Sequence, residues 1–359
     1  MLSGHGGHIQ KIIDSYQIPP GEIIDFSSNI NPLGPWPRIK EIIKKSCDAI
    51  TCYPDPESQS ARIVLAKYLG VNEENILLGN GSTEFIYLIP QALRCSLALI
   101  YCPTFSEYAF SLKLSKIKTH SLFAREKEQF HIDIKKIKDH LPRPDMIILV
   151  NPNNPTGYLL KRDELTNLLN FSLNTKTCLL IDETFIEFVG DPSRFSLVKE
   201  VVNHKYLLIL RSFTKFFSLP GLRIGYLVAH KDLIRKIAPF QPTWSVNSLV
   251  QQVVREELFN PNFIKKTREW VEKEKDFLFA QFKEIKDIHP YYSSANFILC
   301  KILNKRFEAK SLFLHLLKDR IIIRDCSNFK GLNPYFFRVA VKRRKDNLCL
   351  VNSLKKILT

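Results

Sequence analysis

Apolar residues fall along this chain in short runs, and the runs alternate with stretches whose apolar positions recur at helical spacing. Strand-length runs occupy 75–78, 97–101, 146–150, 177–181, 206–210 and 224–228. Their continuous leucine-rich and β-branched make-up predicts strands covered on both faces, as in a parallel sheet. Helical patterns lie between them, including 84–93 and 161–170, the second opening with Asp163 and Glu164, acids that favour a helix start. From about residue 60 to about residue 230 this alternation predicts βαβ units in one α/β domain. After Pro239 and Pro242 the pattern changes to a long charged helix over 262–283 and short strands over 296–299 and 336–341. The organisation expected is an N-terminal arm (1–35) that contributes to the small domain and the active site, a large domain (36–240) and a small α+β C-terminal domain (241–359). The arm ends in the turn signal Asn31-Pro32-Leu33-Gly34.

Composition narrows the class. With 45% hydrophobic and 25% charged residues over 359 positions, the chain is neither fibrous nor wholly disordered. No segment approaches the roughly 18 apolar residues of a membrane span. The start, Met1 to His8, shows no cationic, apolar and small-residue leader pattern, so a cytoplasmic protein is expected. The eight cysteines form no Cys-x-x-Cys pair, and no zinc site or disulfide framework is expected. A net charge of +16 fits nucleic acid, anionic small molecules or general basicity. The densest cluster, Lys342-Arg343-Arg344-Lys345, has no interleaved aromatics and reads as the solvated start of a basic helix.

The strongest chemical signal is the stretch Ser212 to Gly225, in which Lys215 lies between hydroxyls after a buried strand and is followed by Pro220-Gly221 and Arg223. A lysine held in a partly desolvated, cation-rich pocket has a lowered amine pKa, which imine formation with an aldehyde cofactor requires. Ser212 and Arg223 can then hold a phosphate, and the flanking Phe213, Phe216, Phe217 and Leu219 argue for burial over a surface loop. A Ser-x-x-Lys acyl-enzyme reading fails because Ser-Asp-Asn and Lys-Thr-Gly are absent. A Walker-type loop fails because no Gly-Lys-Ser or Gly-Lys-Thr occurs. Gly79-Asn80-Gly81-Ser82-Thr83-Glu84 follows a strand and opens a helix, a ready anion site. Glu84 replaces the third glycine of a dinucleotide fingerprint, which weakens that alternative. Asn151-Pro152-Asn153-Asn154-Pro155 and Asp182-Glu183 end two further strands, where open α/β sheets bind ligands.

In this order, over nearly the whole chain, these segments resemble the fold-type I enzymes that use pyridoxal 5′-phosphate, the class I/II aminotransferase-like proteins. The resemblance implies that Lys215 forms the Schiff base with the cofactor and that Asp182 pairs with its pyridine nitrogen, these two being the catalytic pair. It assigns Asn154 to the phenolic oxygen, Phe105 to stacking on the ring, and Gly81, Ser82, Thr83, Ser212 and Arg223 to the cofactor phosphate. Tyr53 would reach the neighbouring subunit's cofactor, which implies a homodimer. Arg338 would bind the substrate α-carboxylate, its planar fork suiting that partner.

Two branches of the family are similar to this chain, the histidinol-phosphate aminotransferases and the threonine-phosphate decarboxylases of cobamide synthesis. His5-Gly6-Gly7, the stretch Phe26 to Gly34 and Arg324-Asp325-Cys326 resemble the decarboxylase motifs. Phe185 stands where the aminotransferase branch usually carries a tyrosine. This resemblance implies decarboxylation of L-threonine O-3-phosphate or L-serine O-phosphate, with His5, Gly6, Asn31 and Arg324 on the substrate and Lys330 as a weaker contributor. Transamination is the rival. A non-catalytic or nucleic-acid-binding relative is a third reading, disfavoured by an intact Lys215 and Asp182; no nucleic-acid or membrane partner is expected.

Overall fold

The computed structural model describes residues 6–7, 9–19, 21–256 and 258–358. Thirteen strands are present among them: β1 (Ile24–Asp25), β2 (Ile76–Gly79), β3 (Leu97–Cys102), β4 (Lys118–Phe123), β5 (Met146–Val150), β6 (Cys178–Asp182), β7 (Leu207–Ser212), β8 (Gly225–Ala229), β9 (Ile288–Tyr291), β10 (Phe297–Ile302), β11 (Ile321–Ile322), β12 (Arg324–Asp325) and β13 (Phe336–Ala340). Seven form one sheet in the order β2-β8-β7-β6-β5-β3-β4. All its neighbours run parallel except β8, which is antiparallel to both β7 and β2. The mostly parallel sheet expected from the apolar runs is therefore present, and the fold is α/β.

Because side chains alternate across a strand, the sheet feeds two cores. Leu179, Ile181, Leu207 and Ile209 pack on one face with Phe213, Phe216 and Phe217. Leu180, Leu208, Leu210, Ile148 and Val150 pack on the other, beneath the helices Ser82–Leu93 and Glu107–Leu114 through Phe85, Ile86, Tyr108 and Leu112. The same alternation sorts the charged strand ends. Asp182 and Ser212 continue the second face, whereas Glu183 and Arg211 continue the first.

There Arg211 Nη2 lies 2.8 Å from Glu183 Oε2 and Nη1 lies 3.1 Å from Glu187 Oε1, all three residues being buried. Arg268, on helix Pro261–Lys283, reaches Glu187 Oε2 at 2.7 Å. This helix, expected at 262–283, starts at Pro261 behind Asn260, whose side chain accepts from Phe263 N at 2.9 Å.

A second, antiparallel sheet runs β12-β13-β10-β9 and shares a core with helices Ala309–Lys318 and Arg344–Leu358. The basic cluster expected to be a solvated helix start is only partly so. Arg344 makes a bidentate pair with Glu274 at 2.9–3.2 Å and lies over the Phe277 ring, because a guanidinium offered a buried carboxylate and an aromatic face is better paired than hydrated. The segment after residue 21 joins this part of the molecule. Ile24 and Asp25 pair in parallel with Ile321 and Ile322, Phe26 N donates to Ile322 O at 2.7 Å, and Phe26 O accepts from Ala340 N at 2.8 Å. Among the described residues no helix is long and apolar enough to cross a membrane.

Candidate active site

The carboxyl ends of β5, β6 and β7 open, together with the N-terminus of helix Ser82–Leu93, into a cavity of about 220 Å³. Eleven of the residues expected from the sequence line it: Gly6, Ser82, Thr83, Phe105, Asn154, Asp182, Ser212, Lys215, Arg223, Arg324 and Arg338.

Asp182 ends β6 and is 5% exposed. Its Oδ1 accepts from Thr184 N at 2.8 Å and its Oδ2 from the Tyr108 hydroxyl at 2.8 Å. Burial pushes this carboxyl up, and the bonds from Thr184 and Tyr108 and the charge of Lys215 oppose that rise. Lys215 follows β7 in a loop anchored by the buried Phe213, Phe216, Phe217 and Leu219. Asn31 holds the same loop by donating from its backbone N to Lys215 O at 3.0 Å and from Nδ2 to Phe216 O at 2.9 Å. Burial, then the cations Arg338 and Arg223, bring the Lys215 amine down to about 8.

Around the helix start the backbone approaches very closely. Gly81 has φ +78°, and a Cβ there would lie 2.5 Å from Arg223 Nη2, so only glycine leaves Arg223 its place over the helix N-terminus. Arg223 itself adopts φ +58° and is fixed by a bond from Nη1 to Pro220 O at 3.2 Å. Ser82, Thr83, Ser212 and Arg223 thus converge where a helix dipole favours an anion.

The opposite wall comes from the second sheet. Arg324 and Arg338 are register partners on β12 and β13. Arg338 is 5% exposed, donates from Nη2 to Ser27 O at 3.0 Å and from Nη1 to Asn154 Oδ1, and stands over the Phe297 ring. Its Nε is buried and has no hydrogen-bond partner among the described residues. Arg324 donates from Nη2 to Asn328 Oδ1 at 2.7 Å and lies over Phe329. Ser27, Ser28 and Asn29 complete this wall together with Gly6, where an added Cβ would collide with Ser27 O.

Other expected residues lie elsewhere. His5 falls outside the described residues. Asn31 is buried but does not line the cavity, both ends of its amide being engaged within the fold, since Oδ1 accepts from Leu33 N at 3.0 Å. Gly81 stands behind the lining. Lys330 donates to Ser121 Oγ at 3.0 Å and covers Phe123, away from the cavity. Tyr53 is 78% exposed and stacks on Trp244 at 4.3 Å, in a separate cleft. Sequence reasoning missed Tyr108, Thr184, Thr214, Ser27 and Asn29. For Tyr108 a signal existed in its i+3 spacing from Phe105.

The site fits pyridoxal 5′-phosphate on three structural grounds. There is an anion cradle at a helix N-terminus, a lysine depressed toward neutrality that makes no ion pair among the described residues, and a doubly hydrogen-bonded carboxylate at a neighbouring strand end.

Comparison with known proteins gives a consistent picture. Residues 21–354 match the family model for aminotransferase class I and II. A putative threonine-phosphate decarboxylase of Caldanaerobacter subterraneus is 38% identical, over 91% of this chain and 88% of that protein. The threonine-phosphate decarboxylase of Salmonella typhimurium is 31% identical, over 99% and 97%. An adenosylcobalamin biosynthesis bifunctional protein CobDQ of Leptospira interrogans is 32% identical over 99% of this chain, which spans only 41% of that longer protein. Among solved structures, a histidinol-phosphate aminotransferase of Clostridium acetobutylicum superposes with a TM-score of 0.87 at 33% identity, covering 92% of this chain and 98% of that one.

Proposed function

Because the chain belongs to the class I and II aminotransferase family, we propose that it is a pyridoxal 5′-phosphate-dependent decarboxylase of an O-phosphorylated amino acid, a threonine-phosphate decarboxylase acting in cobamide synthesis. The observation that carries this reading is the pair of arginines, Arg324 and Arg338, on the wall facing the Lys215 and Asp182 loops. Cofactor phosphate is provided for at the helix N-terminus, so this second pair of cations serves a substrate with two anionic groups.

In this reading Ser82, Thr83, Ser212, Arg223 and the free N–H groups of the helix hold the cofactor phosphate. Phe105 covers the ring, Asp182 faces the pyridine nitrogen, and Asn154, whose Oδ1 is taken by Arg338, offers its Nδ2 to the phenolic oxygen. When bound, the cofactor supplies an electron sink for the bond that breaks. Arg338 binds the carboxylate through its guanidinium, and Arg324, with Gly6 and the Ser27–Asn29 segment, binds the distal phosphate. Holding the substrate at both ends fixes which bond at the α-carbon stands across the ring, and orientation is the protein's main contribution. The C–C bond to the carboxylate breaks, carbon dioxide leaves, and Lys215, as its ammonium, delivers to the same carbon the proton that takes the carboxylate's place and regains one from solvent. The product is (R)-1-amino-2-propanol phosphate from L-threonine O-3-phosphate, or ethanolamine phosphate from L-serine O-phosphate.

The protein acts in the cytoplasm as a homodimer. Supporting the dimer, Ile50, Tyr53, Phe240 and Trp244 are exposed apolar side chains, Tyr53 being 78% exposed although it stacks on Trp244. The rival reading is an aminotransferase, which the Clostridium acetobutylicum likeness favours. Against it stands Phe185, which lines the cavity without a hydroxyl. Carbon dioxide release from L-threonine O-3-phosphate or L-serine O-phosphate with no 2-oxo acid present is the expected result. Silence with both, together with 2-oxoglutarate-dependent conversion of histidinol phosphate, would overturn it.

A further inference from the structure

Resting on the cofactor reading above, we infer that Tyr108 is a positioning residue which keeps Asp182 ionised, and thereby sets the protonation state of the cofactor's ring nitrogen. Tyr108 is 1% exposed, and its hydroxyl donates to Asp182 Oδ2 at 2.8 Å. Thr184 N takes the other carboxylate oxygen at 2.8 Å. Each oxygen is thus fixed by one donor, and the plane of the carboxylate is set before any ligand arrives.

The hydroxyl cannot exchange its role. Burial and the adjacent carboxylate hold the phenol well above its ordinary range, so it stays a donor at every working pH. A donor to the ionised form favours ionisation, and it opposes the burial that pushes Asp182 up. The titratable groups facing Asp182 are Tyr108 and Lys215. Lys215 is the group expected to bond covalently to the cofactor, so of these two the phenol is the constant support, acting beside the non-titrating Thr184 donors.

The same ring also meets Phe105 edge to face, with centroids 6.4 Å apart and planes at 81°. One residue therefore braces both the carboxylate and the expected stacking ring. Its position on the first turn of helix Glu107–Leu114, three residues beyond Phe105, makes this possible.

The test is Tyr108→Phe, which removes one oxygen and leaves the packing, compared with the wild-type holoenzyme loaded with cofactor isotope-labelled at the ring nitrogen. The expected result is that the ring-nitrogen resonance moves toward the unprotonated position, the acid limb of the kcat profile moves to higher pH, and cofactor binds about 10-fold more weakly or worse. A ring-fluorinated tyrosine at position 108, a stronger donor of nearly the same shape, should move the resonance and the acid limb the opposite way. A merely structural residue would show a lowered Tm and no graded response. An unchanged resonance and acid limb in both variants overturns the inference while leaving the cofactor reading intact. A wild-type protein that binds no cofactor overturns both.

Discussion

Lys215 gives the most quantitative handle on the site. Its amine is brought from 10.5 to about 8 by burial, Arg338 and Arg223, and only the unprotonated amine attacks an aldehyde. At about pH 7.5 an amine of pKa 8 is neutral in roughly a quarter of molecules, and one of pKa 10.5 in roughly one in a thousand. The site should therefore capture pyridoxal phosphate on the order of 100-fold faster than an ordinary lysine of equal nucleophilicity. Rapid mixing of apo-protein with cofactor between about pH 6 and pH 10, followed by visible absorbance, should give a rate that rises with pH and levels off, with a midpoint near 8. Borohydride reduction and peptide mapping should place the label on Lys215. Arg338→Met removes the larger of the two cationic contributions, so the midpoint should move to higher pH. The sign for stability follows from proton linkage. Between about pH 8 and 10.5 the folded apo-protein binds fewer protons at this residue than the unfolded chain does. Its destabilising contribution is thus complete below 8 and is relieved as pH rises through that window. Lys215→Met should abolish the absorbance yet stabilise the apo-protein at neutral pH by up to about 3 kcal/mol, a gain lost near pH 10.5. A capture rate that is flat with pH, or a midpoint near 10, would refute the cation-rich, desolvated pocket.

Three further outcomes are expected. Arg324→Ala should lower kcat/KM for a phosphorylated substrate by roughly 10- to 100-fold, chiefly through KM, and should change cofactor affinity little; equal loss with an unphosphorylated analogue would show that Arg324 does not read the phosphate. Gly81→Ala places a Cβ 2.5 Å from Arg223 Nη2 at a left-handed φ, so cofactor titration should show weakened binding and thermal melts a loss of about 1–3 kcal/mol. Arg211→Met leaves Glu183, 1% exposed, without its cation, and denaturant unfolding should register a loss of about 3–5 kcal/mol.

Much of this site was legible because its chemistry follows strands that announce themselves. Asp182, Asn154 and Lys215 each come within five residues of the end of an apolar run, 177–181, 146–150 or 206–210, and the strand ends of the large sheet lie within two residues of those expected. The edge strand β4 was not read, since Lys118–Phe123 is half-exposed and polar and gives no apolar run. Nor could the reversed direction of β8 be read, because a strand buried on both faces looks the same either way. Ser27 and Asn29 lie in the stretch Phe26 to Gly34 that the sequence singles out, but their place on the cavity wall depends on the pairing of β1 with β11, a long-range fact. The Glu183–Arg211–Glu187 cluster was missed because buried ions look like ordinary surface charges until their partners are known. Asn31 is expected on the substrate, and in the fold its amide also holds the Lys215 loop through Phe216 O; a buried asparagine suits either task.

The pairing of Ile24 with Ile321 also has a bearing on how the molecule is made. A ribosome releases Ile24 some 297 residues before its partner, a delay of roughly 15–60 s at ordinary synthesis rates of about 5–20 residues per second. Throughout that interval Phe26, fully buried in the finished protein, has no core to enter, and the wall that carries Arg338 does not exist. The nascent chain can assemble the helix N-terminus and the Lys215 loop early, but the enclosure around them closes only when its last strand emerges. Cofactor capture is thereby tied to completion of the polypeptide, because chains that stall short of β13 have a lysine without the enclosure and the Arg338 charge that bring its amine down.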